Sequence, residues 1–157
     1  MLRYLFNSSG VRYAAQKQLV PVFMTDGKEV YLLLGVSVGS LKFLSDWSQE
    51  QSGDIRPGES LSIEYAIERL PGCRASRYGR DAWSITAGMR FHPTGQEESG
   101  AVTAREQSGA VVAAPLTVEV PIDATRIELW FQNTDNTGCV AWDSRYGQNY
   151  WFDVNAV

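Results

Sequence analysis

The chain has 157 residues, of which 44% are hydrophobic and 20% are charged, and it carries a net charge of -4. This composition is typical of one folded globular domain spanning residues 1–157, and it excludes a disordered or fibrous chain. The excess of acidic residues argues against a protein that coats phosphate backbones, so we expect no nucleic-acid partner.

Alternation of apolar and polar residues runs along most of the chain and predicts half-buried β-strands. Turn residues separate the strands, as at Leu70-Pro71-Gly72 and Asn136-Thr137-Gly138. No long window keeps a helical stripe, so we predict an all-β fold, a single antiparallel β-sandwich of the immunoglobulin-like or carbohydrate-binding-module-like kind. The predicted strands, in chain order, are residues 11–15, 19–23, 30–38, 61–67, 83–91, 110–114, 118–122, 127–131, 139–142 and 150–154.

Two segments depart from the alternation. Residues 93–109 are rich in Gly, Ser, Glu and Gln, which predicts a long mobile loop or the tip of a hairpin. Residues 42–60 open with aromatics and then lose all periodicity. A short helical turn at residues 45–51, capped by Ser45, is one interpretation of this second segment.

Cellular location is inferred from the apolar segments and the cysteines. Residues 30–39 form the longest apolar stretch, about half of the roughly 20 residues that cross a bilayer, so no membrane partner is expected. Asn7, Ser8 and Ser9 interrupt the region where a secretory peptide is apolar. Cys73 and Cys139 match no metal or redox spacing, and free thiols are preferred over a disulfide. These features together predict a cytoplasmic protein.

Side chains with catalytic chemistry are few. The one histidine, His92, stands before Pro93 at the end of a predicted strand and is interpreted as a surface residue. A thiol dyad of His92 with Cys73 is the alternative, because such partners meet only in the fold. One histidine and two distant cysteines supply too few ligands for zinc. We therefore predict a protein that is not an enzyme and that needs no cofactor or metal.

A calcium loop and an anion site are two further candidates. Asn133, Asp135, Thr137 and Gly138 match four positions of an EF-hand loop, but Ser144 replaces the bidentate Glu, so a tight strand connection is preferred. A cluster of four arginines is a candidate anion-binding site, since guanidinium groups bind carboxylates and phosphates bidentately. Its alternative is a solvated loop with paired charges. The cluster consists of Arg69, Arg74, Arg77 and Arg80.

Aromatic residues concentrate near the C-terminus. If Tyr150 and Phe152 face the core, Trp151 faces outward, and Trp142 stands at a strand end before a turn. Exposed rigid rings beside amides suit sugar recognition, because a pyranose offers an apolar face and hydroxyl groups. The alternative is that these tryptophans belong to the core. The candidate ligand-binding residues are Trp142, Asp143, Tyr146, Asn149 and Trp151.

The stretch from Trp142 to Tyr150, W-D-S-R-Y-G-Q-N-Y, resembles the W-D-N-N-x-G-x-N-Y signature of starch- and glycogen-binding modules of carbohydrate-binding family 21, including those of glycogen-targeting phosphatase subunits. Ser144 and Arg145 stand where the signature has Asn. The resemblance implies a stacking platform at Trp142 and a hydroxyl partner at Asn149. With residues 69–74 and 82–85 as a second landmark, the whole chain resembles an uncharacterised bacterial family of about this size.

The sequence thus predicts a non-catalytic protein that binds a glycan of the α-glucan type through its C-terminal aromatics. The alternative is a protein-interaction or structural β-sandwich that self-associates through an edge strand into a homo-oligomer. Exposure of Trp142, Tyr146 and Trp151 discriminates between the two, because a sugar platform must be open to solvent.

Overall fold

A computed structural model describes residues 19–23, 29–33 and 38–155. The chain divides into two compact units, residues 1–36 and residues 37–157, and each is described by itself. In the first unit, strands β1 (Leu19–Phe23) and β2 (Glu29–Leu33) pair antiparallel. The predicted strand at residues 11–15 and the second half of the one at residues 30–38 lie largely outside the described residues.

The second unit contains two larger sheets. The first has four strands in the order β12-β5-β3-β4, and its β3 and β5 run parallel where the sequence predicted antiparallel pairing. β3 and β4 are joined by a short turn, and β4 ends the sheet. The strand bounds are β3 Gly39–Phe43, β4 Gln49–Ser52, β5 Ser60–Tyr65 and β12 Leu116–Glu119.

The second sheet is antiparallel and is built around two long strands. Strand β8 pairs with β13 along the whole length of β13, so it occupies one edge of that strand. β14 and β15 both pair with β13 and must therefore share its other edge, end to end. β9 pairs with the far side of β8. The strand bounds are β8 Trp83–His92, β9 Gln96–Ala101, β13 Arg126–Asp135, β14 Val140–Asp143 and β15 Tyr150–Asp153.

Two small ribbons and one short helix complete the unit. β6 (Ser76–Arg77) pairs with β7 (Arg80–Asp81), and β10 (Thr103–Arg105) pairs with β11 (Val111–Ala113). A 3-10 helix at Ile67–Arg69 follows β5 directly. Within the part of the chain that the structure describes, no helix has the length and apolar character that crossing a membrane requires.

The inward faces of the two sheets meet in one apolar core. Alternate residues of β8 from Ile85 to Phe91, and of β13 from Ile127 to Phe131, are fully buried, as their period-2 pattern predicted. The ring of Phe43 on β3 contacts that of Phe131 at a centroid distance of 4.6 Å, and Tyr65 on β5 lies 4.0 Å from Phe131. The all-β sandwich is therefore confirmed.

The segment of residues 93–109, for which the sequence predicted a long mobile loop or the tip of a hairpin, contains the turn of the β8–β9 hairpin followed by strands. β9 and β10 occupy most of it, and the connection from β8 is a tight turn in which Gly95 has φ 77°. These strands need little apolar content of their own, because backbone pairing of β9 with β8 and of β10 with β11 satisfies their polar groups. Residues 45–51 likewise form a turn and the start of β4, without a helix.

The two cysteines are joined in a disulfide, contrary to the expectation of free thiols. Their Cα atoms lie 5.2 Å apart across a sequence separation of 66 residues. Cys73 lies in the segment that follows β5 and the 3-10 helix, and Cys139 lies directly before β14. The bond therefore joins the segment after β5 of the first sheet to the start of β14 in the second sheet. Spacing in the sequence carried no sign of this contact, since the pairing depends on how the sheets stack.

Loss of this disulfide is expected to lower stability. Replacing Cys73 and Cys139 together by Ser removes a cross-link over 66 residues, and the free energy of unfolding should fall by about 2–4 kcal/mol. Urea denaturation of the variant beside the oxidised parent measures the difference. Thiol titration of the denatured, unreduced parent should find no free group, and two free groups would contradict the pairing.

Candidate functional site

The C-terminal aromatic motif forms a loop that projects from the edge of the second sheet. β14 ends at Asp143, which pairs with Phe131, and β15 begins at Tyr150, which pairs with Leu129. The two strands are thus continuous in direction along β13. Residues 144–149 are inserted between them and project from the sheet at the level of Trp130.

Local hydrogen bonds close this loop. The backbone N–H of Asn149 donates to the carbonyl of Ser144 at 2.7 Å, and the N–H of Gly147 donates to the Ser144 hydroxyl at 3.2 Å. Arg145 and Tyr146 adopt φ values of 48° and 59°, and Asn149 has φ 57°. Left-handed conformations are uncommon for residues with a Cβ and concentrate at functional sites. The loop therefore has a specific shape that its neighbours must maintain.

The turn between β3 and β4 faces this loop. Asp46 accepts hydrogen bonds from the N–H of Ser48 at 2.9 Å and from its hydroxyl at 2.5 Å. Between them, Trp47 adopts φ 71° and leaves 59% of its surface exposed. The turn thus presents a large ring outward, although burying an indole is favourable.

A cavity of about 830 Å³ lies between the turn and the loop. Trp47 bounds it on the side of the first sheet, while Trp142, which is 56% exposed, and the fully exposed Tyr146 bound it on the other. Gln49, Gln148 and Arg145 add polar side chains to its wall. Rings with a few amides and hydroxyls are the composition of a small-molecule site.

Asp143 and Tyr150 form the floor of the cavity, and Asp143 is paired with a buried arginine that lies outside the lining. Arg69, which is 2% exposed, donates from Nε to Oδ2 of Asp143 at 2.9 Å, and both side chains are almost fully buried. The hydroxyls of Tyr65 and Tyr150 also donate to this carboxylate. Three of the roughly four acceptor positions of the buried Asp143 carboxylate are therefore occupied from within the protein.

The remaining donors of Arg69 hold the Trp47 turn in place. Its Nη1 donates to the carbonyls of Leu44 at 3.0 Å and Ser48 at 3.3 Å, and its Nη2 donates to the Tyr150 hydroxyl at 2.7 Å. The indole of Trp47 covers the guanidinium, with 4.7 Å between Cζ and the ring centroid. One buried cation thus fixes both the ring on one wall and the carboxylate at the floor.

The protonation states follow from this geometry. Burial, aided by the neighbouring Asp143 carboxylate, raises the pKa of Tyr150 to about 12 and raises the pKa of Tyr65 as well. Burial opposes the charge on Arg69, but the hydrogen bond and the charge of Asp143 outweigh it and raise its pKa. At neutral pH both phenols are therefore neutral and the Arg69 guanidinium is charged.

The predicted sugar-binding residues are divided between two places. Trp142, Tyr146 and Asp143 line the cavity, whereas Asn149 and Trp151 are absent from its walls. Asn149 donates from Nδ2 to Oε1 of Glu128 at 2.7 Å, so its amide anchors the loop to β13 instead of facing Trp142. Trp151 is exposed but stacks on His92, with 5.1 Å between the ring centroids.

Glu128 is the centre of a separate polar cluster on the outer face of the second sheet. Its Oε2 accepts from Nη1 of Arg90 at 3.2 Å and lies 3.1 Å from Nε2 of His92. Burial is the largest single influence and opposes ionisation. The hydrogen bonds from Asn149 and His92, with the charge of Arg90, together outweigh it and hold the pKa of Glu128 below its ordinary value.

The four arginines of the candidate anion site do not converge on one ligand. Arg69 is committed to Asp143. Arg74 donates to the carbonyls of Leu70 and Ile67 and lies over the ring of Trp83. Arg77 and Arg80 are exposed partners on the β6–β7 ribbon. A clamp of four guanidinium groups is therefore not formed.

The remaining catalytic and metal candidates receive structural roles. Cys73 is in a disulfide, so it offers no thiol to a dyad with His92. Oδ1 of Asp135 accepts from the backbone of Thr137 and Cys139, which makes the EF-hand-like segment a tight turn. Among the residues that the structure describes, no three His, Cys, Asp or Glu side chains cluster as a metal site requires.

Trp47 is the principal lining residue that sequence reasoning missed, and Gln49 and Gln148 are two further ones. Trp47 falls in a segment without periodicity, where no strand pattern gives its face. The one available signal is that Trp47 stands between Asp46 and Ser48, which both favour turns. An aromatic side chain in a polar turn is expected to be exposed, because such a turn lies at the surface. The pairing of Trp47 with Trp142 depends on the stacking of the two sheets.

Comparison with known families identifies the chain at the level of a family. A family model matches residues 32–155, which include both walls and the floor of the cavity. The chain belongs to the DUF6209 family. This family is described as one of unknown function. No curated protein and no solved structure matches this DUF6209 chain.

Breaking the buried ion pair is expected to destabilise the protein strongly. Arg69→Met leaves the Asp143 carboxylate buried without its cation, and we expect the free energy of unfolding to fall by about 3–5 kcal/mol. Lys42→Met, in the exposed pair with Glu64, is the matched control and should change it by less than about 1 kcal/mol. Equal effects of the two variants in urea denaturation would contradict a special role of the buried pair.

Glu128 is expected to make stability depend on acidity. Because its pKa is lower in the folded than in the unfolded chain, folding favours the ionised form. That stabilisation is present above the ordinary value of 4.5 and is lost as pH falls through the folded value. Glu128→Gln should therefore flatten the fall in unfolding free energy below about pH 4.5. Glu119→Gln, at an exposed position of β12, is the control. If the unfolding free energy of the two variants fell equally steeply at acidic pH, the prediction would be contradicted.

Proposed function

We propose that this protein is a non-catalytic binding protein that holds a carbohydrate in the cavity between Trp47 and Trp142. The observation that carries the proposal is the pair of exposed tryptophans that line the cavity, one from each sheet, with Tyr146 as a third exposed ring. Each ring is left in contact with solvent at a cost, since apolar surface is better buried. A pyranose ring that stacks on such surfaces would recover that cost.

The polar wall supports the same ligand class. The side chains of Gln49 and Gln148 can both donate to and accept from hydroxyl groups. Asp143 is occupied by Arg69, Tyr65 and Tyr150, so its role in this proposal is to shape the floor rather than to bind sugar directly. Trp142 keeps the platform role implied by the resemblance to starch-binding modules, whereas Asn149 becomes a residue that anchors the loop.

The disulfide bears on where this binding would take place. Disulfides of structural type persist in oxidising compartments and are rare where thiols are kept reduced. The expectation of a cytoplasmic protein rested in part on free Cys73 and Cys139, and their pairing removes that support. We therefore propose that the protein acts in an oxidising compartment.

A second candidate function is self-association through β4. This strand ends the first sheet, and all four of its residues are exposed. An open edge can pair with a second copy, which is the general route to edge-to-edge dimers. Sedimentation at several protein concentrations tests this candidate, and a concentration-independent monomer would exclude it.

The carbohydrate proposal is tested by titration calorimetry with maltoheptaose and a panel of soluble glycans. We expect dissociation constants in the millimolar to micromolar range, which corresponds to about 4–8 kcal/mol. Trp47→Ala and Trp142→Ala should each abolish detectable binding while leaving the circular dichroism spectrum unchanged, because both rings are exposed in the free protein.

Trp151→Ala is the matched control for these variants. It removes a tryptophan that is 41% exposed on the same sheet but outside the cavity. We expect it to bind like the parent. If Trp151→Ala lost binding while Trp47→Ala retained it, the binding site would lie at the Glu128 cluster instead of the cavity. If the parent bound none of the glycans in the panel, the proposal would be contradicted.

A further inference from the structure

A second concave surface lies on the outer face of the five-stranded sheet. It is a groove of about 300 Å³ that crosses β13, β8 and β9. One aromatic residue, Trp130, stands in it among hydroxyl, amide and carboxyl side chains. Its walls include Thr86, Gly88, Ser99, Trp130 and Gln132, with two acidic residues of β9.

Trp130 lies flat on the sheet because Gly88 has no side chain. The two residues are register partners on β13 and β8. A Cβ atom at Gly88 would come within 2.4 Å of Nε1 and 2.5 Å of Cε2 of the indole, so no residue larger than glycine leaves room for the ring. The bare backbone thus seats one surface of the indole, and the ring remains partly exposed toward the groove, with the Arg90 guanidinium 5.9 Å from its centroid. A flat, immobilised ring is a preformed stacking surface.

The groove and the cavity adjoin through one cross-strand pair. Gln132 lines the groove, and it is the register partner of Trp142, which lines the cavity. Paired residues of neighbouring strands lie about 4.5–5.5 Å apart between Cα atoms. The two binding surfaces are therefore separated by the width of a single strand pair.

We propose that the ligand is an extended neutral polysaccharide, with some of its sugar units in the cavity and the next units over Trp130. This inference rests on the proposed carbohydrate function and assigns the groove as an additional subsite. A mono- or disaccharide would fill part of the cavity alone. A longer chain would contact both surfaces at once, and each added stacking contact would increase its affinity.

The charge of the groove selects a neutral chain. Glu97 and Glu98 both line it. Arg90 pairs with Glu97 at 2.6 Å, and Glu98 accepts a hydrogen bond from Gln96 at 2.8 Å. Because Arg90 is committed to Glu97 and Glu128, no unpaired cation among the described residues of the groove would attract a carboxylate or sulfate group on a ligand. The hydroxyls of Thr86 and Ser99 and the amide of Gln132 can bond neutral hydroxyl groups.

The test compares chain length and charge in the full-length protein. Maltose, maltoheptaose, soluble starch, laminarin and xylan represent neutral ligands of different length and linkage, and polygalacturonate represents an acidic polymer. We expect the affinity for a neutral polymer to exceed that for its short oligosaccharide by at least tenfold, and binding to polygalacturonate to be weaker than to any bound neutral polymer.

Trp130→Ala should remove this gain with length and leave the affinity for the short oligosaccharide unchanged. Gln132→Ala is a second variant that keeps the indole on Gly88, and it should also reduce affinity for the polymer alone. Trp142→Ala, in contrast, should abolish binding to ligands of every length. This difference separates the additional subsite from the cavity itself.

Each outcome decides between the two proposals. If short oligosaccharides bind through Trp142 and neither groove variant changes polymer affinity, the subsite is wrong and the cavity proposal stands. Tighter binding to polygalacturonate than to every neutral polymer would overturn the neutral ligand class. Absence of binding to all of these glycans would overturn both proposals together.

Discussion

The guanidinium group of Arg69 is the point at which the two sheets and the candidate site are joined. It pairs with Asp143 at the end of β14 and donates to the Tyr150 hydroxyl at the start of β15, both in the second sheet. It also holds the carbonyls of the β3–β4 turn in the first sheet. A buried ion pair adds little net stability compared with an apolar replacement, since both charges must lose their water. We infer that its main consequence is geometric: it sets the separation of Trp47 and Trp142.

The disulfide acts on the same two chain segments as this ion pair. Cys73 lies four residues after Arg69, and Cys139 lies four residues before Asp143. The segments after β5 and before the motif loop are therefore fastened at two points, one covalent and one electrostatic. Arg74 adds to this by capping the carbonyls of the 3-10 helix. A loop rich in left-handed residues, such as residues 144–149, requires this kind of rigid support to keep one shape.

The position of the motif explains why it carries so many unusual residues. The edge of β13 is covered by β14 and β15 in succession, and the chain must leave the sheet and return between Asp143 and Tyr150. The loop of residues 144–149 reverses direction through positive φ values at Tyr146 and Gly147. The hydrogen bond from the Asn149 amide to Glu128 then fixes the end of the loop to β13. Much of the resemblance to starch-binding modules can therefore be read as the geometry of this edge, with Trp142 as the position where geometry and the proposed ligand contact coincide.

The sequence by itself determined β8, β13 and β15 and the faces of their residues, because a period of 2 places alternate residues on opposite sides of a sheet regardless of the rest of the fold. It did not predict β3, β4, β9 or β10. It placed Ile127, Leu129 and Phe131 in the core and Trp151 outside, and it located one wall of the cavity at Trp142 and Tyr146. The composition of residues 93–109 predicted a mobile loop or a hairpin tip. Backbone pairing with β8 forms a strand there, although the side chains of this segment bury little apolar surface. Only the tertiary structure decided that Cys73 meets Cys139, that Arg69 is buried against Asp143 and that Trp47 faces the motif loop. Arg69 and Asp143 are 74 residues apart in the chain, and contacts at such separations arise from the stacking of two sheets, which local patterns do not encode.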